Sequence, residues 1–364
     1  MNKFIQDGLN KGDRVAVAMS GGVDSSVTAA LMVEAGYDVI GITLQLYDQG
    51  ALASRKGACC AGQDIYDARN VADKLNFPHF VLDYESIFKQ SVINDFVDSY
   101  TRGETPIPCI QCNQKVKFKD LLATAKDLNA KALITGHYVK WHFNNEKAEL
   151  HRPFDKSRDQ SYFLFSTTQE QLNYLRFPLG IISKTETREH AKRFGLTIAD
   201  KPDSQDICFV PNGNYVSVVE KFKPGALEPG NIVDLNGNIL GHHKGTIQYT
   251  IGQRKGLGVS ASEPLYVVGI NPEKKEVIVG PKSALEVYEI SLKDVNYLDD
   301  KIIDAGYDCM VKIRSTHDPV LATVYKETTG ARVVFKKPEF GIAKGQACVF
   351  YEDDRVLGGG WITA

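Results

Sequence analysis

No stretch of this 364-residue chain is apolar for long enough to cross a bilayer. Its first residues, MNKFIQDGLNKGDR, are polar where a secretion signal would carry an apolar core. Both absences point to a soluble, cytoplasmic protein with no membrane partner. Excess positive charge is missing too: 43 Lys and Arg against 45 Asp and Glu leave −2 at pH 7. Composition therefore does not announce a nucleic-acid binder, and any RNA must be held by local basic patches. Cysteines are few and odd in number, seven in all: Cys59, Cys60, Cys109, Cys112, Cys208, Cys309 and Cys348. With no secretion signal this argues against a disulfide framework, and thiols clustered in loops then suggest metal or sulfur chemistry. Internal repeats and low-complexity segments are absent. What is present is an ordinary globular composition, 43% hydrophobic and 24% charged, long enough for two or three domains.

The first half alternates strand-like and helix-like segments. RVAVAM (14–19) reads as a buried strand, and VTAALMVEAG as a helix stopped at Gly36. YDVIGITLQLY and HFVLDY are further strands. Between them Ile65, Ala68, Ala72 and Leu75 share one helical face. IFKQSVINDFVDSY reads as a helix, a second follows around 118–128, and then comes the strand KALIT. This rhythm predicts an α/β fold with a doubly wound parallel sheet. It ends after a helix around 185–194. Beyond about Pro211, turn formers such as EPGN, LNGN and NPEKK separate short strands like YVVGI and EVIVG. The expected domains are 1–212, a smaller β-rich domain at 213–284, and a C-terminal β-barrel at 285–364.

Ser20-Gly21-Gly22-Val23-Asp24-Ser25-Ser26 lies between the first strand and the first helix. A helix N-terminus offers unpaired N–H groups and a positive dipole end to an anion. Gly21 and Gly22 are expected to let backbone approach a phosphate, the serines to donate, and Asp24 to bind Mg²⁺ or hold the loop. The pattern is neither GxxxxGK[ST] nor GxGxxG. It resembles the PP-loop of ATP pyrophosphatases, which implies ATP cleaved to AMP and pyrophosphate and an adenine nucleotide hydrolase-like domain. That superfamily also contains amide-forming ligases, so the loop alone leaves the acceptor open.

The cysteines narrow the reaction. Cys112 follows the stiff stretch TPIPC (105–109) close to an expected helix start, where the dipole, with Lys115 and Lys117, should favour thiolate. Cys208, in DSQDICF, leaves the α/β domain in another long loop, and two such loops can meet over the mouth of the sheet. Swapping a carbonyl oxygen for sulfur needs an activated oxygen, a persulfide donor and a second thiol to release the sulfur. Half of a zinc site at Cys109-x-x-Cys112 is the competing reading. Cys309 and Cys348, in strand-like contexts, read as buried packing residues. Cys59 and Cys60 carry no assigned role.

The longer stretches AMSGGVDSSVTAALM, DIYDARNVADKLN, CNQKVKF, TGHYVK, RDQSYFLF, SQDICFV, YTIGQRKGLGV and KGQACVFY resemble, in order and over nearly the whole chain, the MnmA-type tRNA-specific 2-thiouridylases. The resemblance implies a PP-loop domain followed by two β-rich domains, the last of them tRNA-binding. It implies ATP-dependent 2-thiolation of the wobble uridine of tRNA, with Cys112 as nucleophile and Cys208 as persulfide carrier. A Cys112–Cys208 disulfide would form in each cycle. Ala18, Met19, Ser20, Gly21, Gly22, Val23, Asp24, Ser25, Leu44 and Gly136 match ATP-contacting positions. Ile107, Pro108 and Cys109 match the stretch that meets the target base. His137, Arg158, Asp159, Gln160, Arg314, Ser315 and Gln346 match tRNA-contacting positions. Implied with them are Mg²⁺, an anticodon stem-loop as substrate, a cysteine desulfurase or sulfur-relay protein as partner, and a monomer. Gln253-Arg254-Lys255, within YTIGQRKGLGV, would also suit phosphate contact.

Two positions depart from the family pattern. Cys109 stands where the family has an aspartate, and Ser315 where it has an aromatic residue. The first departure opens an alternative in which Cys109, Cys112 and Cys208 hold a [4Fe-4S] cluster. From other classes, a PP-loop amide ligase and a non-catalytic tRNA-binding paralogue also remain to be distinguished.

Overall fold

The computed structural model describes residues 3–47, 60–144, 147–203, 206–210, 213–302 and 304–363. Cys59, Ser204, Gln205 and Pro211 lie outside them, and of Cys60 only the backbone is described. The chain forms two compact units. The first holds Met1–Ser91, Cys109–Phe209 and Asp354–Val356, and the second holds Val92–Pro108, Val210–Asp353 and Leu357–Ala364.

The first unit is built on a five-stranded parallel sheet. β1 (Arg14–Ala18), β2 (Asp38–Gln45), β3 (His79–Asp83), β4 (Ala132–Ile134) and β7 (Leu175–Arg176) lie in the order β3-β2-β1-β4-β7. Each neighbouring pair is parallel, so the helices between must cross the faces. α1 (Val23–Ala35) is apolar nearly all round, and ten of its 13 residues are buried, as expected for a helix sealed on both sides. It ends at Gly36, whose φ of +89° gives the left-handed stop that closes the helix on Met32 and Val33. α2 (Cys60–Leu75) packs Ala68, Val71 and Ala72 into the same core as Val15, Val17 and Leu31. α8 (Lys184–Arg193) opens on Ser183, whose side chain accepts from Glu186 N–H.

Chain order reverses between β1 and β4. Open α/β sheets bind ligands at the carboxyl ends of the strands at such a switch point. The loop after β1 is Met19–Gly22, and the loop after β4 begins Thr135-Gly136-His137. A short antiparallel hairpin, β5 (Lys140–Asn144) with β6 (Lys147–His151), also belongs here.

The helix expected to begin near 118 begins at Pro108. It runs as α5 (Pro108–Gln111), a stretch of wide π-turns (Cys112–Leu121), and α6 (Leu122–Asp127). Proline suits a first helical position because its missing N–H would have no partner there.

The second unit is antiparallel for the most part. β8 (Gly230–Val233), β9 (Ile239–His243), β10 (Tyr266–Asn271) and β11 (Glu276–Gly280) form a four-stranded sheet around Ile232, Val267, Val277 and Val279. The strands β12 (Glu286–Tyr297), β13 (Tyr307–Lys312), β14 (Val320–Glu327), β15 (Gly330–Phe340), β16 (Ala347–Glu352) and β17 (Arg355–Ile362) follow. They run in the order β12-β15-β14-β13-β16-β17, and β17 pairs back to β12, which closes these six strands into a barrel. Cys309 and Cys348 lie in its apolar interior, matching the expectation for packing residues. Among the described residues no helix is long and apolar enough to cross a membrane.

Candidate active site

The loop after β1 is shaped by its own residues. Ser25 Oγ accepts from Ser20 N–H at 3.1 Å and donates to the Gly22 carbonyl at 3.2 Å. Gly22, extended at φ −89°, is the N-cap of α1 and supplies no side-chain cap to the first-turn amides. This fits an anion. The two glycines have different duties. Gly21 has φ +72°, and a Cβ there would lie 2.1 Å from the Asp64 carbonyl oxygen of α2. It is small to let the helix close on the loop, not to admit a ligand as expected. At Gly22 a Cβ would meet only Ser20 Oγ, at 3.6 Å, so this is the position that leaves room for phosphate. Gly136, after β4, backs the loop closely: its Cβ would lie 3.0 Å from Asp24 C and Ser25 N. Leu44, half-buried, is near the carboxyl end of β2. The positions matched to ATP therefore gather at the carboxyl ends of β1, β2 and β4.

Asp24 turns inward. Its Oδ1 lies 2.7 Å from Lys184 Nζ and 2.9 Å from the Tyr138 hydroxyl, so of its two expected roles the geometry gives it loop holding. Burial, then the Asp24 carboxylate, push the Tyr138 phenol well above its ordinary value. Lys184 also reaches Asp203 Oδ1 at 2.8 Å. Asp203 takes Arg188 on the same oxygen and Arg158 on Oδ2, each at 2.9 Å. Burial opposes the ionised carboxylate, but Lys184 and the two arginines outweigh it and hold Asp203 below its usual range. Lys201 Nζ donates to the Gly21 carbonyl at 3.0 Å and pairs with Asp64 and Asp67 of α2.

The RDQ stretch has internal work. Besides Arg158 on Asp203, Asp159 pairs with Arg152 at 2.7 Å and accepts from Ser161 N–H. Gln160 Oε1 accepts from Tyr138 N–H at 2.8 Å. These bonds fix the turn that carries His137. The His137 Nδ1 lies 2.8 Å from Thr135 Oγ1, and its ring meets Phe118 and Phe177 edge-on. Burial, reinforced by Lys117, lowers its pKa to about 3, so the imidazole is neutral at physiological pH.

Cys109, Cys112 and Cys208 are all free thiols of the first unit. They are close enough to act on one another: burial pushes Cys208 up to about 12, with Cys112 and Cys109 adding to the rise. Cys112 is buried, whereas Cys109 and Cys208 are exposed at the surface, and burial raises the Cys112 pKa despite Lys117. The expected thiolate at Cys112 is therefore overturned. The helix starts at Pro108, four residues before Cys112, which moves the sulfur from the helix end to its interior. Lys117 is the cation these thiols share, lowering all three. It stands five residues after Cys112 on a π-turn, one turn along, and donates to the buried Asn113 Oδ1 at 3.1 Å. Lys115 is exposed. The Cys208 carbonyl accepts from the Tyr47 hydroxyl at 2.8 Å, and Phe209 packs edge-on against Phe88. Among the described residues no three His, Cys, Asp or Glu are arranged to hold a metal ion. The zinc and iron–sulfur expectations thus have no ligand set to support them here.

The remaining predicted positions lie in the second unit. Ile107 is buried, and Pro108 ends that unit's 92–108 segment. Gln346 Nε2 donates to the Thr105 carbonyl at 3.0 Å, and Arg314 donates to the Phe340 carbonyl at 3.3 Å. Ser315 is half-buried beside Arg314, and Arg254 and Lys255 are exposed.

Lys184, Lys201, Asp203, Tyr47 and Tyr138 had no place in the sequence reading. Lys184 left a signal. A lysine in the first turn of a helix opposes the dipole, which marks it as held by an anion.

A parallel sheet whose switch point carries a serine–glycine loop and an uncapped helix N-terminus defines an adenine nucleotide-binding protein of the PP-loop class. Comparison with known families agrees along the chain. The family model described as tRNA methyl transferase HUP domain matches residues 13–212. A tRNA methyl transferase PRC-barrel domain matches 218–281, and an aminomethyltransferase beta-barrel domain matches 287–362. Proteins curated as tRNA-specific 2-thiouridylase MnmA are similar throughout. The one from Parvibaculum lavamentivorans is 57% identical, covering 100% of this chain and 94% of that protein. Those from Maricaulis maris and Rickettsia felis are each 58% identical over 98% of this chain, and over 89% and 99% of their own lengths. The chain belongs to the tRNA-specific 2-thiouridylase family.

Proposed function

We propose that this protein is an ATP-dependent tRNA-uridine 2-sulfurtransferase that acts on the wobble uridine. The observation that carries the reading is the group of three mutually interacting thiols around Lys117, in the same unit as the phosphate loop. A carboxylate-activating ligase of the same class would have no use for such a group.

ATP lies with its phosphates at the α1 N-terminus. Mg²⁺ arrives on the triphosphate, since Asp24 is committed to Lys184 and Tyr138. The anticodon stem-loop is held by the β-rich modules, with 213–284 and 285–364 as their domains and 1–212 as the catalytic one. Arg314, Ser315 and Gln346 serve that surface, while Ile107 to Cys109 meet the base, turned out of its stack.

The uridine C2 oxygen attacks the α-phosphate, and pyrophosphate leaves. Cys208 carries a persulfide loaded by a cysteine desulfurase or relay protein. The terminal sulfur attacks C2, and AMP leaves with the former oxygen. Cys112 then attacks Cys208 Sγ, cleaves the S–S bond and releases 2-thiouridine. The two electrons that reduce the transferred sulfur leave a Cys112–Cys208 disulfide, which an external thiol must reopen. Both thiols rest protonated, which suits partners that wait for substrate before reacting. The protein works as a cytoplasmic monomer.

Nucleoside mass spectrometry on unmodified tRNA, with ATP-Mg²⁺ and a persulfide source, tests this. Cys112→Ser and Cys208→Ser should each abolish 2-thiouridine, while Cys208→Ser still forms AMP in a tRNA-dependent manner. Pyrophosphate release without tRNA would move the assignment to a ligase.

A further inference from the structure

Three thiols act on one another in the first unit, and the thiolation cycle uses the sulfur of only two. The third, Cys109, lies in the first turn of the helix that opens at Pro108, three residues before Cys112. Side chains three apart on a helix share a face, with Cβ atoms about 5–6 Å apart. A disulfide needs about 3.5–4.5 Å, and a first turn, with no hydrogen-bonded turn before it, has freedom to tighten. Cys109 is exposed, whereas Cys112 is only 7% exposed. An exposed and a buried cysteine spaced C-x-x-C at a helix start suit dithiol–disulfide exchange.

Cys208 is the other exposed thiol. Its neighbour Phe209 packs edge-on against Phe88, and the short helix Glu85–Phe88 lies against the π-turn stretch Cys112–Leu121. The Tyr47 that donates to the Cys208 carbonyl also meets the Phe88 ring. The π-turn stretch is fixed at its start by Asn113, whose Nδ2 donates to the Phe163 carbonyl at 3.2 Å and whose Oδ1 accepts from Lys117. A disulfide between Cys112 and Cys208 therefore leaves one free thiol in the group, and it lies one helical turn from Cys112 Sγ.

We propose that Cys109 is the resolving thiol of the thiolation cycle, exchanging the Cys112–Cys208 disulfide for a Cys109–Cys112 disulfide. After 2-thiouridine has left, Cys109 gives up its proton and its Sγ attacks Cys112 Sγ. The Cys112–Cys208 bond breaks, the Cys109–Cys112 bond forms, and Cys208 departs as a thiolate that takes up the proton. One disulfide replaces another with no net transfer of electrons. Lys117, the cation common to all three thiols, stays beside the negative charge as it passes from Cys109 to Cys208. The new disulfide lies within one helical turn and leaves Cys208 untied, ready for the next sulfur. The external thiol then delivers its two electrons at the exposed Cys109, while Cys208 is already being reloaded. The inference rests on Cys208 carrying the sulfur and Cys112 releasing it.

The experiment maps disulfides after a single turnover. Full-length protein is loaded once with persulfide, freed of reductant and given unmodified tRNA with ATP-Mg²⁺. The mixture is quenched in acid, free thiols are alkylated, and peptides and nucleosides are analysed by mass spectrometry. The wild type should hold one Cys109–Cys112 disulfide for each 2-thiouridine formed, with Cys208 alkylated. Cys109→Ser should hold one Cys112–Cys208 disulfide for each 2-thiouridine that it forms, however many those are. Its repeated turnover, relative to its own first turnover, should fall several-fold below the wild type in scarce dithiothreitol and recover in excess. A thiol that merely packed the helix start would give no such dependence on reductant. A wild type that keeps Cys112–Cys208 with Cys109 alkylated overturns the inference alone, as does a Cys109→Ser variant no more dependent on dithiothreitol than the wild type. A wild type that forms no 2-thiouridine overturns the functional reading along with it.

Discussion

The two glycines of the phosphate loop should fail in opposite ways when each is replaced by alanine. At Gly21, φ is +72° and the new Cβ would lie 2.1 Å from the Asp64 carbonyl oxygen, against 3.4 Å for ordinary contact. The missing 3.4 − 2.1 = 1.3 Å must come from backbone on both sides, since no flexible side chain stands there to yield. Left-handed backbone costs an alanine ~1–2 kcal/mol, and overpacking adds ~1–3 kcal/mol. Gly21→Ala should therefore lose about 2–5 kcal/mol of stability. At Gly22, φ is −89° and the nearest atom to a new Cβ is Ser20 Oγ at 3.6 Å. Here the cost is that of a poorer N-cap, about 1 kcal/mol or less. The methyl would nevertheless stand where phosphate must approach the α1 amides. Urea unfolding and tRNA-dependent AMP formation, run on both variants, separate the cases. Gly21→Ala should unfold early, whereas Gly22→Ala should fold normally and form little AMP. Equal stability for both variants, or full AMP formation by Gly22→Ala, would refute this account of the loop.

Further outcomes can be checked on the thiols and on His137. With its pKa pushed up to about 12, Cys208 should be alkylated roughly tenfold faster for each pH unit from 7 to 10, with no plateau; a plateau near pH 8.5 would contradict the raised value. Lys117→Met should slow that labelling at every pH in the range, because Lys117 is the cation that favours all three thiolates. For His137, an unfolded value of 6.5 and a folded value of about 3 mean that the unfolded chain takes up the proton first. The stability contributed by neutral His137 is therefore complete above 6.5 and is lost as pH falls toward 3. Its imidazole resonances should not move between pH 8 and about 4.5. Cys109→Asp puts the family's carboxylate back and should leave tRNA thiolation active; complete loss would show that Cys109 is needed as a thiol.

The fold was largely legible because its signals are local. Apolar runs of strand length alternated with helical faces such as Ala68 and Ala72, and Gly36 marked a helix stop that the backbone adopts. The loop was legible for the same reason, since its function follows from neighbours in sequence. What escaped depends on distant partners. Lys184 had no place in that reading, because its partner Asp24 is 160 residues away. Arg158 was matched to a tRNA-contacting position and Asp203 stood only in the loop around Cys208, and their pairing exists only when the chain is folded. The acidity of Cys112 was misjudged because burial cannot be read from a loop sequence, and because Pro108 opens the helix where Phe118 had been taken as its first clear mark.

The way the chain is shared between the two units has a consequence for its synthesis. The second unit includes Val92–Pro108, where Tyr100 stacks on Tyr215 at 4.5 Å and Thr105 bonds to Lys344 and Gln346. The first unit includes Asp354–Val356, where the Arg152 N–H donates to the Asp354 carbonyl and Arg355 pairs with Glu149. A ribosome that has finished residue 212 has therefore released neither half in a condition to complete itself. The early segment must wait for strands translated last, and the nucleotide-binding half waits for three residues near the very end. A nonsense codon at position 354 would take a piece from both units. Completion of this protein is thus vested in residues 354–364: a chain cut short before them leaves both units incomplete.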